Sequence, residues 1–123
     1  TDWYTLRDYL GGSRVAGGKL KETGTTYWDS PNTGATNEVG FNARGGGERI
    51  PSDWSFSGLN TIGRFSTRNV GDGSSSVIVS MEYNNDDLTV TTDAVGRKTG
   101  VSIRLVYKGA GTQTSYTGND GKV

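Results

Sequence analysis

From Ser74 to Tyr83 the chain keeps a strict two-residue rhythm: Val77, Val79, Met81 and Tyr83 alternate with Ile78, Ser80 and Glu82. Side chains two apart share one face of a strand, so this run reads as β-structure with one face toward a core. Asn84-Asn85-Asp86-Asp87 follows, residue types that bond their own backbone and tolerate the left-handed region, as a tight turn requires. Leu88, Val90 and Thr92 then alternate with Thr89, Thr91 and Asp93, which gives a return strand. Gly96-Arg97-Lys98-Thr99-Gly100 reads as a second turn, and Val101, Ile103, Leu105 and Tyr107 alternate in a third strand. The expectation is a three-stranded antiparallel meander.

The N-terminal half has a different period. Thr1 is placed to cap a helix and Asp2 to complement its dipole, while Trp3, Leu6 and Leu10 fall on one helical stripe. Gly11-Gly12 ends that helix. Gly17-Gly18-Lys19-Leu20-Lys21-Glu22 reads as another short helical turn. Thr23 to Pro51 reads as one long loop, rich in Gly, Asn, Thr and Ser, anchored by Tyr27, Trp28, Val39, Phe41 and Ile50. Loops of that length in a compact domain are usually functional. Helix first and sheet last, without βαβ alternation, gives an α+β class.

At 123 residues one core is expected. Only 31% of the residues are hydrophobic and 20 are Gly, yet three Trp, six Tyr and three Phe supply core material, so a folded domain with long loops is expected rather than disorder. Thirteen basic residues balance thirteen acidic ones, so no overall field draws the chain to nucleic acid or an anionic membrane. The longest apolar run is too short to span a bilayer. The chain contains neither Cys nor His. Thiol nucleophiles, disulfide frameworks, Cys/His zinc sites and Ser-His-Asp triads are therefore excluded, leaving carboxylate, lysine or oxygen-ligated metal chemistry.

The run Gly17-Gly18-Lys19-Leu20-Lys21, followed by Trp28-Asp29-Ser30-Pro31-Asn32-Thr33-Gly34-Ala35-Thr36-Asn37 and Gly40-Phe41-Asn42-Ala43, resembles the Fibrobacter succinogenes major paralogous domain. The likeness runs from Thr1 to about Val106, closing on Gly100-Val101-Ser102-Ile103-Arg104-Leu105-Val106. It implies a C-type-lectin-like fold with a short N-terminal helix, long Gly/Asn-rich loops and a C-terminal antiparallel meander. It also implies a secreted or lipoprotein surface location of the kind found in Bacteroidetes, with phage receptor-binding domains as more distant relatives. Two segments depart from the family. Ala43-Arg44-Gly45-Gly46-Gly47-Glu48-Arg49 lacks the family's Pro and aromatic residue, and Arg64-Phe65-Ser66-Thr67 stands where the family has a Trp-rich run. Formylglycine-generating relatives work through cysteine, which this chain lacks. Tyr116 to Val123 looks like the opening of another copy, and the family's usual first strand is missing before Thr1. The expected division is therefore a domain over 1–108 lacking its first strand, then a linker and the start of a next repeat over 109–123.

The expected contact surface is the polar side of the last strands and their turns. It comprises Arg64, Ser66, Arg68, Asn69, Glu82, Tyr83, Asn85, Asp87, Thr89 and Thr91, with Trp54 as a stacking aromatic. Alternation alone would also produce a solvated face of this kind. Trp28 and Trp54 are candidates to stack on sugar rings or to peg their loops to the core. Asn84, Asp86 and Asp87 are weak candidates for Ca²⁺, against a plain hairpin turn; no Asp-x-Asp-x-Asp-Gly loop is present, nor the Glu-Pro-Asn or Gln-Pro-Asp triplet of sugar-binding C-type lectins. Asn119-Asp120-Gly121 reads as a turn, and Gly45-Gly46-Gly47 lacks the strand and helix frame of a phosphate loop. Glu38, Glu48 and Asp53 are the carboxylates available for glycosidase chemistry. The reading that results is a non-enzymatic extracellular recognition or adhesion module, without a cofactor, whose partner is a glycan or a protein. The alternative is a structural repeat of a surface or phage-fibre protein that pairs strand edges with its neighbour.

Overall fold

The computed structural model describes residues 2–70, 76–93 and 99–105, with the side chains of 68–70, 76 and 92–93 left aside. It is a small α+β fold. Helices α1 (Asp2–Tyr9) and α2 (Ala16–Leu20) come first, then strands β1 (Gly46–Arg49), β2 (Phe56–Leu59), β3 (Ile62–Val70), β4 (Ser76–Glu82) and β5 (Thr89–Asp93). The strands form one five-stranded mixed sheet in the order β2-β1-β3-β4-β5. Strand β1 runs parallel to β3 through Gly47 and Gly63, and the other neighbours are antiparallel.

Helix α1 forms as its spacing predicts. Leu10 is buried, and Trp3 and Leu6 pack against the core. It ends at Gly11, whose φ of +106° suits glycine, with Gly11 N–H donating to Asp8 O and Gly12 N–H to Arg7 O. The β4–β5 hairpin also forms where expected, and Val79, Met81, Leu88 and Val90 face the core. Trp3, Phe41 and Phe65 make an aromatic trio with centroids 5.7 to 6.1 Å apart.

Three features of the fold differ from the expectations or add to them. Gly100 and Ser102 do not extend the β4–β5 hairpin. Gly100 exchanges two backbone bonds with Arg49 of β1, and Ser102 bridges in parallel to Phe65 of β3. Alternation marks a strand without naming its neighbour, and Ile103 and Leu105 have no core to face, being 75% and 89% exposed. Second, Ile62–Val70 is a strand that no expectation covered, and among its described side chains Phe65 is the one large one in the core. Third, the supposed loop from Thr23 to Pro51 contains β1. The turn at 96–98, the strand's end at 106–107 and the stretch 109–123 lie outside the described residues.

A lysine holds the long loop. Lys21 is fully buried, and its Nζ donates to the carbonyls of Thr33, Glu82 and Asn85, each at 2.8 Å. An ammonium has three protons, so all its donor capacity is met. Asn32 repeats the device, its Nδ2 donating to Glu22 O at 2.9 Å and Gly24 O at 2.8 Å. Trp28, also fully buried, donates from Nε1 to Ala43 O at 2.9 Å. The backbone of α2 lies so close to its neighbours that a Cβ on Gly17 would strike Asp87 O and one on Gly18 would strike Gly34 O. The residues of the Gly-Gly-Lys-Leu-Lys and Ser-Pro-Asn segments thus do structural service, joining α2, the loop and the β4–β5 turn.

Candidate functional site

The register of β3, β4 and β5 decides which polar side chains share a face. Thr89, Ser80 and Arg64 form one row across the three strands, and Thr91, Ile78 and Ser66 form the next. Glu82 lies on the same face opposite Ile62. Five of the expected contact residues, Arg64, Ser66, Glu82, Thr89 and Thr91, are therefore brought together. They differ in freedom. Arg64 Nη1 lies 2.7 Å from Glu48 Oε2, spanning β3 and β1, and Glu82 Oε1 accepts from Asn85 Nδ2 at 3.0 Å. Ser66, Thr89 and Thr91 are exposed.

The others separate from this face. Tyr83 was expected outward and instead packs half-buried against the core, because alternation from Met81 puts it on the inner side. Asn85 is taken up by the turn: its carbonyl receives Lys21 and its Oδ1 receives Asp87 N–H at 2.9 Å. Arg68 and Asn69 lie on β3 with side chains outside the description. Asn84-Asn85-Asp86-Asp87 forms the β4–β5 connection, in which Asp86 O accepts from Gly18 N–H at 3.1 Å and the Asp86 side chain lies against Gly34. Among the described residues no group of three or more Asp and Glu is arranged to hold a metal ion.

Among the described residues a concave feature lies beside this face. Tyr4 and Arg7 of α1, Ser13 and Arg14 of the following turn, and the stretch from Asp87 to Val90 line an open cleft of about 390 Å³. Its two walls are joined by Leu88 N–H donating to Ser13 O at 2.7 Å. The Arg7 guanidinium sits 4.9 Å from the Tyr4 ring centre and pairs with Asp8 at 2.7 Å. Arg14 is exposed and has no ion pair among the described residues. The helix side thus offers guanidinium donors and a phenol, and the strand side offers the Asp87 carboxylate and the Thr89 hydroxyl. Asp87 and Thr89 were legible as contact candidates. Tyr4, Arg7, Ser13 and Arg14 were not, although Tyr4 and Arg7 are three apart and so share a side of α1, next to the Trp3 stripe.

The remaining sequence candidates have separate settings. Glu38 lies 3.7 Å from Lys19 Nζ, and Glu48 is held by Arg64. Asp53 Oδ1 accepts from both Ser55 Oγ and Ser55 N–H, and these bonds hold its carboxyl below the usual carboxylate range. Gly45-Gly46-Gly47 leads into β1 and meets Asn60 and Tyr27 through the backbone of Gly45. Trp28 is a core peg, whereas Trp54 is 50% exposed. Among the described residues no helix is long and apolar enough to cross a membrane. No family model, curated protein or solved structure matches the chain.

Proposed function

We propose that this domain is a non-catalytic recognition module, of C-type-lectin-like architecture and exported to a cell surface, that takes an acidic oligosaccharide in the α1–β5 cleft. The observation that carries the reading is Arg14, an exposed guanidinium without a counter-ion among the described residues, at the edge of a cleft that also offers Tyr4, Asp87 and Thr89. A volume of about 390 Å³ falls in the lower part of the range of ligand pockets, about 300–1,000 Å³. A guanidinium fork suits a carboxylate, while a phenol and a threonine hydroxyl suit sugar hydroxyls. Among the described residues Asp87 is the one carboxylate lining the cleft, and a glycosidase needs a pair. Binding without turnover is the chemistry this lining supports.

Calorimetry of the intact chain against oligogalacturonides and their neutral galacto-oligosaccharide counterparts tests this. Binding of the acidic series is expected, at least tenfold weaker in Arg14→Ala and in Thr89→Ala, with no new reducing ends released. Equal affinity for both series, or a wild-type response from Arg14→Ala, would remove the cleft from consideration.

A further inference from the structure

On the far edge of the sheet from the cleft, the loop joining β1 to β2 presents a bulky side chain from a backbone conformation that such residues seldom adopt. Trp54 has φ +60° and is 50% exposed. The loop is fixed rather than left to solvent: Ile50 N–H donates to Ser55 O and Trp54 N–H to Ile50 O, each at 2.8 Å, and Arg49 Nε donates to Trp54 O at 3.0 Å. The same guanidinium stands 5.2 Å from the Trp54 ring centre and 5.6 Å from that of Phe56, which is 82% exposed. One arginine therefore sets two aromatic rings that contribute little to the core. A folding role would favour Gly or Asn at such a φ and would bury the ring.

Asp53 and Ser55 flank Trp54 in the same loop. Both bonds from Ser55 go to Asp53 Oδ1, and no bond among the described residues uses Oδ2. Those bonds also hold the Asp53 carboxyl below its ordinary range. Aromatic plates, a guanidinium and an open carboxylate oxygen fit a sugar ring, whose C–H faces lie on aromatic surface and whose hydroxyls both donate and accept.

From this arrangement we infer a second, independent binding site: Trp54, Phe56, Arg49 and Asp53 form a platform for a neutral saccharide. The rings supply contact area, Asp53 Oδ2 accepts from a hydroxyl, and Arg49 fixes the rings and donates to a neighbouring hydroxyl. Nothing in it depends on the cleft beside α1.

The test is titration of the intact chain with xylo-, cello-, manno- and chito-oligosaccharides, read by calorimetry and tryptophan fluorescence. At least one series is expected to bind and to change the fluorescence. Trp54→Gly and Trp54→Asn, which both suit the positive φ, should melt within about 3 °C of the parent yet bind at least tenfold more weakly. Asp53→Asn should weaken binding, while Arg14→Ala should leave it unchanged, which separates this site from the cleft. Failure of every series to bind, or binding that survives both Trp54 variants, overturns the proposal. So does a concentration-dependent dimer abolished by Phe56→Ser, which would give the patch to a second copy of the chain.

Discussion

The ammonium of Lys21 lies 5.4 Å from the ring centre of Trp28, and neither side chain reaches solvent. A cation placed there needs strong compensation, because moving a charge out of water is costly unless it is paired and hydrogen-bonded. The carbonyls of Thr33, Glu82 and Asn85 provide it, with the Trp28 ring alongside. Since those carbonyls come from the long loop, the end of β4 and the β4–β5 turn, the charge organises the segments that shape the cleft's strand side.

Lys21→Met keeps most of the apolar volume and removes the ammonium. Three carbonyls then lose their donor, in a place where each orphaned group costs about 1–3 kcal/mol. We expect a loss of about 3 kcal/mol or more in denaturant unfolding. A loss under about 1 kcal/mol would show that the carbonyls find other donors and that the lysine does not hold the loop.

The same residue gives stability a pH dependence. Burial pulls the Lys21 pKa down from 10.5 to about 8, with the Asp86 carboxylate acting in the opposite direction. Between these values the unfolded chain binds more protons than the folded one, so stability rises with pH through that window. Below pH 8 both states hold the proton and the penalty is constant. The slope from one such group is at most about 1.4 kcal/mol per pH unit. Subtracting the pH profile of Lys21→Met from that of the parent isolates it; a flat difference from pH 8 to 10.5 would refute the shift.

Two helical glycines separate intrinsic propensity from packing. Alanine in a helix is ordinarily favoured over glycine by about 1 kcal/mol. At Gly17 and Gly18 the added carbon meets the carbonyl oxygens of Asp87 and Gly34. Overpacking of this kind costs about 1–3 kcal/mol, so each Ala variant should be less stable than the parent by thermal melting. A rise in melting temperature in either would mean that α2 stands further from the turn.

These residues also show what the sequence could reveal. Trp3, Leu6 and Leu10, and the alternation from Val77 to Met81, carry their period openly because each has one side on the core. Strand β3 carried almost no such signal: Arg64 and Ser66 face outward, Gly63 has no side chain, and among the described side chains Phe65 marks the inner face. Lys21 is still less legible. A lysine is by default a surface residue, and the partners that reverse this lie 12, 61 and 64 positions away. At the site, β5 announced Thr89 and Thr91, but Arg14 gained its place only when Leu88 bonded to Ser13 and closed the cleft's base. Trp54 is visible in the sequence as an aromatic; its positive φ and its guanidinium support belong to the three-dimensional structure.

The loop's second anchor gives a test with its own internal control. Asn32 is 7% exposed, and its Nδ2 donates to two carbonyl oxygens, those of Glu22 and Gly24. Asn32→Asp preserves shape and the positive φ of +48° but turns the donor into an oxygen facing two acceptors. The variant should lose about 2–4 kcal/mol at neutral pH, since a buried carboxylate is repelled there and its acid form is favoured. Protonation restores one donor, so the pKa of the new aspartate rises in the folded state above its ordinary value of about 3.9. The folded variant then holds more protons than its unfolded chain. The gap from the parent must therefore narrow as pH falls through the raised pKa toward the ordinary one. Chemical denaturation of both proteins at pH 7 and pH 4.5 reads the effect, and a gap that is constant or widens toward acid would mean that Asn32 does not act as a donor.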